Sequence, residues 1–116
     1  MSGARARAHV FSGRPDPTWG VEEEVVKQLE DVWAKLSDFH GSPPSPAGLG
    51  YRGCALELRD VAYLAYGGVV TRKRPSGRID REDAFRQFER ILLTSAPAGS
   101  FPEGILQSLD DRPPQP

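Results

Sequence analysis

Apolar side chains recur along this chain in two rhythms. Over residues 21–36 they fall at Val21, Val25, Val26, Leu29, Val32, Trp33 and Leu36, the three-and-four spacing of an amphipathic helix. Glu22, Glu23 and Glu24 crowd its start, where the positive end of the helix dipole favours carboxylates, and Thr18 is the candidate cap. Residues 80–95 repeat the rhythm with Phe85, Phe88, Ile91 and Leu92. Asp80 is the expected cap there, and Glu82 and Arg86 form an i,i+4 pair on the wet side.

The other rhythm has a period of two. Residues 5–12 put Ala6, Ala8 and Val10 on one side and Arg7, His9 and Phe11 on the other, as a strand does. Extended runs follow at 51–58, 61–66 and 69–74. Arg59-Asp60 is the expected turn between the first two. Gly67-Gly68 is the expected hairpin turn between the last two, since glycine takes positive φ freely; the competing reading is one long bulged strand.

Breakers separate these segments. Gly13, Pro15 and Pro17 make a rigid turn, residues 41–49 a proline- and glycine-rich surface loop, and Pro75-Ser76-Gly77 the end of the sheet. Pro97 and Gly99 close the second helix. Ser100-Phe101-Pro102-Glu103 matches a capping box and opens a short helix with Ile105, Leu106 and Leu109. Residues 111–116, with three prolines, read as a disordered tail.

An amphipathic helix needs a partner surface, and a half-buried sheet is the one on offer. The expectation is a single α+β domain over residues 1–110. It has a small single-layer antiparallel or mixed sheet of three or four strands, with two main helices and a short C-terminal helix packed on one face. The expected core is Val10, Val25, Leu29, Val32, Trp33, Leu36, Leu56, Leu58, Leu64, Phe85, Phe88, Leu92, Ile105 and Leu109. With 116 residues, a second core is not expected.

Composition narrows the function classes. The 15 basic and 16 acidic residues leave a net charge of -1, so no overall field draws in nucleic acid or an anionic membrane. No apolar run approaches the length of a membrane span, and the N-terminus lacks the pattern of a signal peptide. The single cysteine, Cys54, excludes an internal disulfide and a multi-thiolate metal site. The expected compartment is the cytoplasm. No phosphate loop, nucleotide fingerprint, nucleophile elbow or zinc-protease motif is present.

The residues that stand out lie beside glycines, in 12–19, 49–54 and 66–68. Small residues there let a backbone approach a ligand, while Arg, Tyr and Trp supply hydrogen bonds and stacking; the plain alternative is strand ends that need glycine sterically. The candidate partner-binding residues are Arg14, Asp16, Trp19, Tyr51, Arg52 and Tyr66, with Arg14 and Arg52 placed to hold a carboxylate or phosphate together. Catalytic residues remain unknown. Cys54 as a nucleophile needs His9 or His40 as a base, and a small thiol in a strand is ordinarily core. His9 and His40 with one cysteine make no metal-ligand spacing, so neither metal nor cofactor is expected.

These features support a small binding or accessory module that recognises a protein or peptide partner by strand addition or an aromatic–arginine clamp, with a homodimer through a sheet edge as an option. The alternative is a small metal-independent enzyme with Asp16 or Glu57 as base and Arg14 or Arg52 as anion holder. A nucleic-acid module through the basic cluster at 72–81 needs Arg72, Arg74, Arg78 and Arg81 on one open face.

Overall fold

The computed structural model describes residues 3–10, 16–42, 51–101 and 105. Seven strands and two helices follow in the order β1 (Arg5–Ala8), β2 (Thr18–Gly20), α1 (Glu23–Lys35), β3 (Ser37–Asp38), β4 (Cys54–Glu57), β5 (Ala62–Tyr66), β6 (Val69–Arg74), β7 (Gly77–Glu82) and α2 (Gln87–Thr94). All seven strands join one antiparallel sheet, in the spatial order β2-β1-β4-β5-β6-β7-β3.

The sheet is therefore not the three- or four-stranded one expected from the sequence. The extra strands come from segments read as turns or helix. Thr18, expected to cap α1, pairs with Arg7 in β2, and Trp19 pairs with Ala6; burying the indole at 4% exposure outweighs a cap. The sequence pattern puts the end of the sheet at Pro75-Ser76-Gly77 and starts the second helix at residue 80. Residues 77–82 instead pair along their whole length with β6, Arg74 facing Gly77. Gly77 holds φ +146, which an L side chain resists, and Pro75-Ser76 makes the reversal. Once that tight hairpin forms, ladder bonds decide against weak helix propensity.

The second helix consequently starts seven residues late, at Gln87. The N-cap position is Arg86, and Asp83, three residues ahead, supplies the capping bonds: its Oδ1 and Oδ2 accept the backbone N–H groups of Gln87 and Phe88 at 2.9 and 3.0 Å. Phe85, expected in the core, precedes the helix and is 74% exposed. The Gly67-Gly68 hairpin is present: both glycines have positive φ, +63 and +86, the two-residue geometry that matches strand twist. The expected short helix over 100–109 lies outside the described residues except for Ser100, Phe101 and Ile105, as do most of the 41–49 loop and the whole 111–116 tail.

Both helices cover the same face of the sheet. Tyr63 of β5 is the contact point, with Trp33 of α1 at 5.6 Å and Phe88 of α2 at 5.3 Å between ring centroids. Leu29, Leu56, Leu92 and Leu93 complete the buried layer. Each fully buried side chain of this size stabilises the fold by about 1.5–3 kcal/mol. Register then fixes the opposite face: Arg7, Ala55, Leu64, Thr71 and Asp80 lie in one cross-strand row, and Arg5, Glu57, Ala62, Lys73 and Arg78 in the next. Leu64 belongs to this open face, which is why an expected core residue is 37% exposed.

Candidate functional site

Three polar arrangements stand out. The first lies on the open face. Ala55, Ala62 and Leu64 floor a cleft of about 550 Å³, rimmed by Glu57, Arg59, Asp60, Lys73 and Arg74 with His9 at one end. Small side chains at Ala55 and Ala62 make the hollow; β turns on either side supply its charged rim.

The second arrangement adjoins the cleft at His9. Asp16 ties the strand end together: its Oδ1 accepts the Val10 backbone N–H at 3.2 Å, and its Oδ2 sits 3.1 Å from His9 Nδ1. A carboxylate only accepts, so the proton of this contact lies on His9 Nδ1. The Arg52 guanidinium lies 3.8 Å from Asp16 Oδ1. The described lining of the cleft holds no serine, threonine or cysteine to act with this imidazole.

The third arrangement is buried on the helix side. The Tyr51 hydroxyl donates to Glu89 Oε2, and the Cys54 thiol lies 3.9 Å from the Glu89 carbonyl oxygen. Glu89 is 1% exposed, and its Oε1 has no hydrogen-bond partner. Burial raises its carboxyl to about 7, although the Tyr51 hydrogen bond and Arg86 pull the other way. Burial also pushes the Tyr51 phenol and the Cys54 thiol well above their usual values, with the Glu89 charge adding to both. Such a thiol is a poor nucleophile at neutral pH.

The sequence-derived candidates separate accordingly. Asp16 and Arg52 come together. Tyr51 and Tyr66 pack at 6.0 Å, beside Gly53. Trp19 is core, its indole N–H donating to Ser95 Oγ at 2.9 Å. Arg14 lies outside the described residues, so its expected convergence with Arg52 does too. The residue that sequence reasoning missed is Glu89: a charged position in a helical repeat reads as solvated, and only its neighbours bury it.

The basic residues at 72–81 divide between the two faces. Arg72 and Arg81 stack on the Trp33 ring on the helix side, 5.0 and 4.5 Å from its centroid. Arg78 lies on the open face and pairs with Asp80 at 3.2 Å. At the sheet margins, β2 has three residues and β3 two, and such short edge strands offer little template for another chain.

Among the described residues no group of His, Cys, Asp and Glu is placed to hold a metal ion, and no helix is long and apolar enough to cross a membrane. Compared with known protein families, curated proteins and solved structures, the chain matches none.

Proposed function

We propose that the protein is a small binding module that takes an extended segment of a partner protein across the open face of its sheet. The observation that carries this reading is the cleft: an apolar floor of Ala55, Ala62 and Leu64 inside a charged rim, on the face the helices leave uncovered. Convergent polar groups around a small apolar floor suit peptide side chains. His9, held by Asp16, and the neighbouring Arg52 extend the surface towards the turn that the sequence singled out.

The test is selection from a displayed library of random dodecapeptides, repeated with Ala62→Trp. The indole fills the floor without touching the helix side. Enrichment of peptides that bind the wild-type protein and lose binding to A62W, with the thermal melt of A62W unchanged, supports the reading. If no peptides are enriched, or if they bind A62W equally well, the reading is wrong.

A further inference from the structure

We propose that the segment received by the open face is acidic, with a carboxylate held among Arg59, Lys73 and Arg74 at the turn end of the cleft. This rests on the reading of the cleft as a peptide site and adds the chemistry of its ligand.

The argument is one of charge placement. Arg59, Lys73 and Arg74 all line the same cleft and are exposed. Among the described residues, none has a carboxylate within ion-pair distance. The same lining holds two carboxylates, Glu57 and Asp60, so its three cations outnumber its acids by one. Asp80 is occupied by Arg78 and by the Thr71 hydroxyl, at 3.2 and 2.7 Å. Arg5 and Arg7 add two more cations along β1, facing Glu57 and Ala55 across the ladder.

The exposed side of α1 carries Glu22, Glu23, Glu24, Glu30 and Asp31 against Lys27 and Lys35. That acidic surface covers the opposite side of the sheet. On the helix side the acids of α1 are offset by Arg72 and Arg81 over Trp33 and by Arg86 and Arg90 of α2, so the pull on an anionic segment is local to the cleft and to Arg5 and Arg7 beside it. Leu64, Ala62 and Ala55 receive an apolar side chain, and an acidic one two residues along, on the same face of the extended segment, reaches the cations.

The experiment uses three fluorescein-labelled octapeptides of the repeat Leu-Ser-Xaa-Ser, with Glu, Gln or Lys at Xaa, so that Leu and Xaa share one face of the extended chain; binding is read by fluorescence anisotropy on the full chain. The acidic probe is expected to bind about tenfold more tightly than the neutral one, the sum expected of three solvent-exposed pairs, and the basic probe least. The advantage should shrink as salt rises and disappear in Arg59→Gln/Lys73→Gln/Arg74→Gln. A control variant on the other face, Glu22→Gln/Glu23→Gln/Glu24→Gln, should keep it.

Equal binding of acidic and neutral probes overturns the inference while leaving the peptide site standing. So does an acidic preference that survives in the triple variant. Absence of binding by all three, together with an empty library selection, overturns the peptide site itself. A concentration-dependent dimer in sedimentation that displaces the acidic probe assigns the face to a second copy and also overturns the inference.

Discussion

Tyr51 and Glu89, 38 residues apart, are joined inside the fold: the phenol donates to one carboxylate oxygen, and the other oxygen has no hydrogen-bond partner. A carboxylate buried this way is a liability when charged and acceptable when neutral. Two carboxyls, Glu89 and the capping Asp83, are raised by burial, and both act in the same direction.

The first prediction concerns pH. Folding raises the Glu89 carboxyl from 4.5 to about 7. The folded state therefore binds a proton more tightly than the unfolded one. The stabilisation is complete below 4.5 and is lost as pH rises through about 7. Denaturant titrations between pH 4.5 and 8 should show the wild-type midpoint falling. Glu89→Gln should flatten most of that slope and be the more stable protein at pH 8. A slope unchanged in E89Q removes Glu89 as its cause.

Tyr51→Phe deletes the only described hydrogen-bond donor to the Glu89 carboxyl. The expected loss is about 1–3 kcal/mol, the usual cost of leaving a buried acceptor unmet. In the E89Q background the same substitution should cost less, and a double-mutant cycle measures the difference.

Two guanidinium groups, Arg72 and Arg81, lie over the Trp33 ring, and Arg81 also donates to the Trp33 carbonyl oxygen at 2.8 Å and lies 3.7 Å from Asp38. Arg81→Ala should destabilise by roughly 1–2 kcal/mol. Arg81→Lys should recover only part of this, because an ammonium neither stacks flat on the indole nor keeps the fork of donors. Chemical denaturation of the pair checks it.

Gly53 has φ +104, and a Cβ there meets the Ala65 carbonyl oxygen at 2.9 Å and Tyr66 Cβ at 3.0 Å. Gly53→Ala should cost on the order of 1–3 kcal/mol. Gly20→Ala, where a Cβ meets nothing within 4 Å, should change stability by no more than about 0.5 kcal/mol. Thermal melts of the two variants test the contrast.

Cys54 is fully buried, and its thiol is held up by burial and by the Glu89 charge. A maleimide should leave it unlabelled in the folded protein and modify it at the rate of unfolding. Rapid labelling without denaturant contradicts the buried placement.

What the sequence determined by itself were the features set by local chemistry. The period-four stripe from Val25 to Leu36 is helical, because one face must be dry. Gly67-Gly68 turns a hairpin because both positions need positive φ. Ala6 and Ala8 face inward while Arg5 and Arg7 do not, because a strand alternates. Other features were decided only when distant segments met. Gly77–Glu82 is a strand because β6 was there to pair with, although its capping aspartate and charge spacing suit a helix equally well. Trp19 looked like a recognition residue and became core because Ser95, 76 positions away, met its N–H. Glu89, which no sequence pattern singled out, is the most deeply buried acid among the described residues because β4 and Tyr51 closed over α2. Periodicity reports the environment of a residue relative to its own element. Pairing partners, and therefore the open face and its cleft, depend on contacts between elements that no local pattern encodes.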